Sequence, residues 1–424
     1  MKILMIMDEM WNDETHPNNI MTNWFSRMEN VEIAAICCSP GYPATACCDN
    51  FFQITDSMMI KSMFSSAKAG RKINSLNIPE SKNFYGKKRR WFSNELFRIF
   101  RSIIWRFGHY DLVELKKFLS DFSPDIIFST RRGCIKIARL EMTIRNICNI
   151  PMVVYTGDDE YSFQYKSINP LALFHLWWTR RWLKKAYKRY DMLYCSSYDQ
   201  MAKFEDKFGL KTKFLVKVGD FNLSNLHLKS NHPIEIVYAG KLYCNRYKTL
   251  KLLGEAIQDF NKNIGFSAYK LDVYTSDYLN KKYIRIFSKF ESCFLNKAVS
   301  PNTLKDIYNN ADILLHVEGL DRKNSRITSY SFSTKLIDCL SNGSATMIIS
   351  KPYHSAYQYC KTNNIAFCAS NKDEIKRILL SLYNNDASIF ETAKKAMLFG
   401  IKNNSRSIIQ KNILEDFTHI IKGN

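Results

Sequence analysis

The chain is predicted to fold as an α/β protein built from two doubly wound, parallel-sheet domains. Three observations predict this: its 424 residues exceed what one ordinary core organises, short β-rich runs alternate with helical patterns almost end to end, and a polar stretch interrupts the alternation near the middle. The composition, 46% hydrophobic and 24% charged, is that of a folded globular chain without low-complexity tracts.

In the first half, apolar runs read as strands at Lys2–Met7, Glu32–Cys37, Ile126–Ser129, Met152–Tyr155 and Met192–Cys195. The clearest helical patterns cover Ser93–Phe107 and Leu171–Tyr190. Asn222 to His232, followed by Pro233, has few apolar anchors and reads as a linker, giving domains of 1–222 and 233–407. The second half restarts with Ile234–Ala239 and continues with strands near Leu271–Tyr274, Ile313–His316, Ala345–Ile349 and Ile365–Cys368. A last helix, about Ile408–Ile421, is free to pack on either domain, including back on the first.

The twelve cysteines lie scattered in apolar runs, as at Cys37, Cys195 and Cys339, with no secretion signal before them, which fits reduced cytosolic thiols. The adjacent pairs Cys37-Cys38 and Cys47-Cys48 lack the Cys-x-x-Cys spacing of tetrahedral zinc sites, so no metal and no cofactor is expected. Lys2–Met7 is cut off by Asp8 and Glu9 and reads as a buried strand rather than a signal core. No run of eighteen apolar residues occurs, so any membrane association is expected to be peripheral. The formal net charge of +21 attracts polyanions: nucleic acid, anionic lipid or phosphorylated substrates.

The most informative stretch is Ser331-Phe332-Ser333-Thr334-Lys335-Leu336-Ile337-Asp338-Cys339-Leu340-Ser341-Asn342-Gly343, ahead of the strand Ala345–Ile349. It reads as a helix capped by Ser331 or Ser333 and closed by Gly343. Hydroxyls, a lysine and unpaired first-turn N–H groups together make an anion site suited to a diphosphate; the competing reading is a capped helix start with a solvated lysine. A second stretch, Tyr238-Ala239-Gly240-Lys241-Leu242-Tyr243-Cys244-Asn245-Arg246-Tyr247-Lys248, reads as strand, glycine turn and helix start.

Both stretches resemble the retaining, nucleotide-sugar-dependent glycosyltransferases of the GT-B fold. That resemblance implies two Rossmann-like domains facing across a cleft, the first binding acceptor and the second binding donor. It places Lys335 with Ser331, Ser333 and Thr334 near the donor phosphates, and Asp338 on the ribose. It gives the turn after the first strand of the second domain, with Gly240, the task of neutralising the leaving diphosphate. Arg246 is the first choice for this, because its fork pairs with phosphate oxygens, with Lys241 and Lys248 as competitors. The unit Val299 to Leu315 is similar to the family's helix-then-strand unit, with Val299 facing the nucleobase. The sequence departs from the family at Tyr330, which stands eight residues before Asp338 where many members carry a sugar-contacting Glu. Glu318 either substitutes or is a solvated loop residue. The first-strand loop offers Asn18-Asn19 in place of the usual glycine pair.

In the first half, Asp158 and Asp159 follow the strand Met152–Tyr155, where a carboxylate can orient an acceptor hydroxyl or act as base, although runs of acids more often cap or solvate. At 100° per residue, Arg180, Arg181, Lys184, Lys185 and Lys188 fall within an arc of roughly 140°. Trp182, Leu183, Ala186, Tyr187 and Tyr190 lie opposite, and Phe174 and Trp177 lie toward the basic edge. Ser93–Phe107 repeats the pattern, with Leu96, Ile99, Phe100, Ile103 and Ile104 opposite Arg98, Arg101, Trp105 and Arg106, preceded by Lys87-Lys88-Arg89-Arg90. Such basic, aromatic-edged faces suit an anionic bilayer surface.

The expected activity is therefore metal-independent, retaining sugar transfer from a nucleotide-sugar to a glycan or lipid-linked acceptor, for cell-surface polysaccharide synthesis at the inner face of the cell membrane. The rival readings are a non-catalytic glycosyltransferase-like subunit and a basic polyanion-binding protein. No nucleic-acid motif supports the latter.

Overall fold

The computed structural model describes residues 1–16, 19–73, 95–130, 133–165, 167–226 and 233–423. Asn18 and the run Lys87-Lys88-Arg89-Arg90 lie outside these residues. The chain divides into two compact units, Met1–Leu215 with Gln410–Asn424, and Val216–Ile409.

The first unit contains β1 (Lys2–Met7), α1 (Ile20–Phe25), β2 (Glu32–Cys37), β3 (Asn50–Gln53), α2 (Asp56–Phe64), β4 (Arg71–Ile73), α3 (Glu95–Phe107), α4 (Leu112–Phe122) and β5 (Ile126–Thr130). It continues with α5 (Ile135–Cys148), β6 (Met152–Thr156), α6 (Pro170–Tyr187), β7 (Met192–Cys195), α7 (Tyr198–Phe208) and β8 (Thr212–Phe214). The strands form one sheet in the order β4-β3-β2-β1-β5-β6-β7-β8, parallel except for the β3–β4 pair. The central strands are covered on both faces, and so read in sequence as unbroken apolar runs rather than alternations. Local chemistry sets the helix ends. Asn169 accepts from the Leu171 N–H ahead of a proline at the first position of α6, and Gly209, at φ 65°, closes α7.

The last helix, α16 (Arg406–Lys422), completes this first unit. Phe417 is fully buried with its ring 5.8 Å from that of Phe128, the Tyr194 hydroxyl donates to Asp416, and Gln410 donates to the carbonyls of Trp24 and Ser26.

The second unit begins with β9 (Ile234–Ala239), α8 (Arg246–Ile264), β10 (Tyr269–Thr275), α9 (Lys281–Phe287), β11 (Cys293–Lys297), α10 (Pro301–Asn310) and β12 (Ile313–Val317). It ends with α11 (Arg322–Ile327), α12 (Thr334–Leu340), β13 (Ala345–Ile349), α13 (Ser355–Asn363), β14 (Phe367–Ala369), α14 (Lys372–Asn384) and α15 (Ala387–Asn403). Its sheet is wholly parallel, in the order β11-β10-β9-β12-β13-β14. Each sheet therefore has a place where neighbouring strands lead their chains in opposite directions, β1/β5 in the first unit and β9/β12 in the second. Open α/β sheets bind ligands at the carboxyl ends of such strand pairs. No described helix is long and apolar enough to cross a membrane.

Two helices sit differently from the sequence expectation. In α3 the buried residues are Ser102, Ile104 and Trp105, while Leu96 and Phe100 stand exposed. Trp105 was expected on the basic face. Its indole N–H instead donates to Asp56, which also pairs with Arg101, and this polar anchor turns the helix. In α6, Arg180 leaves the basic face and donates to the carbonyls of Tyr161 and Ser162 at 3.2 and 2.7 Å, over the Tyr161 ring. Arg181, Lys184, Lys185 and Lys188 remain exposed.

Candidate active site

At the carboxyl end of β9, Gly240 lies where any side chain would collide. A Cβ there would stand 2.7 Å from the Tyr238 hydroxyl and 3.3 Å from the Lys335 ammonium. The bare backbone lets Lys335, from the first turn of α12, reach over and donate to the Ala239 carbonyl at 3.4 Å. Surrounding protein lowers the Lys335 pKa, and the Arg246 and Lys241 cations lower it further. Lys335, Arg246 and Lys241 thus share one positive field. An ammonium set beside other cations gains from a neighbouring dianion.

Arg246 opens α8 after two consecutive left-handed residues, Cys244 at φ 53° and Asn245 at φ 60°. Such conformations are costly outside glycine and persist where surrounding contacts hold them. Here Asn245 donates to Asp321, and the Cys244 carbonyl presses on Gly319, where a Cβ would lie 2.2 Å away. The result aims Arg246 at Glu318, the residue after β12. Its Nε and Nη2 donate to the two carboxylate oxygens at 3.2 and 2.7 Å. Burial alone would lower the Arg246 pKa, but the Glu318 carboxylate overrides it and raises it. Glu318 is only 6% exposed, which excludes the solvated-loop alternative; its backbone carbonyl also accepts from Thr249.

Behind this pair lie groups that the motifs did not single out. His316 Nε2 stands 3.8 Å from Glu318, and burial pushes its pKa down to about 4. A polar residue within the otherwise apolar Ile313–Val317 was the available signal. His354, 1% exposed, shares a 2.7 Å hydrogen bond with the Ser325 carbonyl, and its Nδ1 has no hydrogen-bond partner among the described residues.

The structure thus brings together Gly240, Lys335, Arg246 and Glu318, with Lys241 exposed beside them. Ser333 is the N-cap of α12 but makes no side-chain capping bond, leaving the first-turn N–H groups without a side-chain partner from it; Thr334 is exposed and Ser331 half-buried. Gly343 takes φ 110°, and a Cβ there would meet the Asn225 carbonyl at 2.0 Å. Asp338 is ion-paired with Lys217 at 2.5 Å. Lys248 is exposed on α8, and Val299 in the loop before α10.

In the first unit, Asp158 is exposed and its carbonyl accepts from Gln200. The Asp159 carboxylate accepts from the N–H groups of Phe163 and Gln164, both at 2.7 Å, so it closes the turn that follows β6. Its pKa is raised by burial against the lowering effect of those bonds. Among the described residues, no group of three or more His, Cys, Asp or Glu side chains is placed to hold a metal ion.

Two doubly wound units with a basic cluster at the β9/β12 switch point define the GT-B fold, and solved structures agree. The chain is similar over its full length to sucrose-phosphate synthase from Thermosynechococcus elongatus, with TM-score 0.60, 10% identity and 100% of each chain covered. It is similar to Anabaena Alr3699/HepE solved with UDP and glucose, with TM-score 0.58, 11% identity and 99% of each chain covered. A trehalose-6-phosphate protein of E. coli bound with UDP-2-fluoro glucose gives TM-score 0.60 and 9% identity, over 98% of this chain and 99% of that one. The sequence matches no protein-family model and no curated protein.

Proposed function

We propose that the protein transfers a sugar from a nucleotide-sugar, with retention and without a metal, to a glycan or lipid-linked acceptor in cell-surface polysaccharide synthesis. The observation that carries this reading is the convergence of Lys335, Gly240 and the Arg246–Glu318 pair at the switch point of the second unit, on a GT-B fold. UDP-sugars are the first donors to try, since structural neighbours were solved with UDP ligands. In this reading the diphosphate lies against Lys335 and Arg246, which meet the charge that grows as the glycosidic bond breaks. Ser331, Ser333, Thr334 and Asp338 line the donor, and Asp158 orients the acceptor.

The reading also places the protein at the inner face of the cell membrane. Support comes from α6, where exposed Arg181, Lys184, Lys185 and Lys188 adjoin exposed Leu171, Phe174 and Trp177, a face suited to anionic lipid.

The test is Lys335→Ala. Donor binding, read as the melting-temperature rise with UDP, should weaken modestly, whereas turnover with the best donor should fall by about 10²–10³. Lys335→Arg should rescue only part, because a wide planar guanidinium does not replace a point charge. A folded Lys335→Ala protein with near-wild-type turnover overturns the site assignment.

A further inference from the structure

The first unit holds a cavity of about 310 Å³ that the donor chemistry does not use. It lies at the β1/β5 switch point, since Lys136, near the start of α5 after β5, ion-pairs with Asp8, the residue after β1. One wall is α3 and the other α6, and they are joined by a 2.9 Å hydrogen bond between Ser102 Oγ and His175 Nε2. Glu95, Arg98, Arg101, Ser102, His175 and Thr179 are among the residues that line it.

Its donors are only partly used. Arg98 bonds Glu95 through Nη1, and Arg101 meets Asp56 through Nε, which leaves donor directions on both forks as far as the described residues go. Ile135 and Lys136 of the first turn of α5 also line the cavity. Thr179 is 5% exposed, lines the same space, and its hydroxyl has no hydrogen-bond partner among the described residues. A buried hydroxyl left unmet is rare in native proteins unless a ligand or water meets it. Forked cations, a helix N-terminus and hydroxyls in one concave space are the groups that recognise phosphate oxygens.

We propose that this cavity binds the phosphate of a phosphate ester. Its chemistry is independent of the donor reading; only the identification of that ester as the acceptor rests on the glycosyltransferase proposal. The ester is either a soluble sugar phosphate or the head of a lipid-linked one. Exposed Tyr165 at the lining and exposed Leu171 and Phe174 on the same helix as His175 give a lipid chain an apolar surface to follow.

The test is calorimetric titration of the full chain with inorganic phosphate, a hexose phosphate, and dodecyl phosphate below its micelle concentration. At least one ester should bind. Thr179→Val, which keeps side-chain shape, should weaken that ester about tenfold while leaving the melting temperature unchanged or higher, because it removes an unmet hydroxyl. Arg98→Gln, at an exposed position, should weaken it by about tenfold or more. Tighter binding of dodecyl phosphate assigns the lipid source, and tighter binding of the hexose phosphate the soluble one. Esters that fail to bind at millimolar concentration, or that bind both variants like the wild type, overturn the proposal. UDP titrated into the same samples reads the donor site separately: absence of UDP binding would count against the glycosyltransferase reading and leave the phosphate result standing.

Discussion

Replacing Glu318 by Gln isolates what the Arg246 pair does. The carboxylate is 8% exposed at its side chain and the guanidinium 16%, so the variant leaves a largely buried cation without its counter-charge. Breaking such a pair from one side costs about 3–5 kcal/mol, and the retained amide hydrogen bond puts this case near the lower end. For a unit the size of Val216–Ile409, about 3 kcal/mol corresponds to a melting temperature lower by roughly 6–12 °C. If Arg246 faces the donor diphosphate, UDP supplies the missing charge, and its stabilising shift should be larger in Glu318→Gln than in wild type. Turnover should also fall, because an unheld guanidinium loses its fixed direction. Scanning calorimetry with and without saturating UDP reads both effects. A variant melting within about 1 °C of wild type would show that the pair carries no stability. Equal UDP shifts would show that Arg246 does not meet the diphosphate.

Two further expectations follow from groups away from that pair. Converting Arg181, Lys184, Lys185 and Lys188 to Gln should weaken sedimentation with anionic vesicles by about 1 kcal/mol per charge, whereas Arg180→Gln should lower the melting temperature instead, since Arg180 bonds two carbonyls; unchanged vesicle binding by the quadruple variant would remove the membrane role from α6. His316 adds a pH dependence: its folded pKa is depressed to about 4 from the ordinary 6.5, so the folded state binds the proton less tightly than the unfolded chain. Stability from this source is full above about pH 6.5 and is lost as pH falls to about 4, amounting to roughly 3 kcal/mol at about 1.36 kcal/mol per pH unit. His316→Asn should flatten that window in denaturant titrations, and identical slopes in the two proteins would refute the cause given.

Strands buried on both faces were legible in the sequence. β1, β2, β7, β9 and β13 end where the apolar runs end, because parallel strands under helices carry no alternation to blur them. The edge strands β4, β8 and β11 were not legible. They are short or half-exposed, and Arg-Lys-Ile or Thr-Lys-Phe carries too little hydrophobic signal to separate a strand from a loop. The helix orientations failed for a related reason. Periodicity ranks residues by polarity, and it cannot see that Asp56, from another element, makes Trp105 and Arg101 of α3 face inward. In the site, Gly240, Arg246 and Lys335 announced themselves in local motifs. Glu318 was a candidate as well, but its pairing with Arg246 was not legible, since the two are 72 positions apart with no pattern linking them.

That pairing also bears on the missing carboxylate. Tyr330, in the register where the resemblance leads one to look for Glu, is 3% exposed, so an aromatic ring occupies that place in the core. The buried carboxylate of Glu318 is bound through both oxygens to Arg246. The pair is neutral overall. What it offers a diphosphate is the direction of the remaining guanidinium N–H groups rather than net charge. Net charge comes from Lys335, whose ammonium donates to the Ala239 carbonyl and whose pKa is lowered first by burial and then by its cationic neighbours. In the proposed reaction an approaching diphosphate would relieve that repulsion, and more so as the sugar bond breaks and negative charge accumulates on the leaving oxygens. Under the proposed reading the division of labour is Glu318 fixing Arg246, Arg246 orienting the leaving group, and Lys335 supplying the charge that strengthens along the reaction.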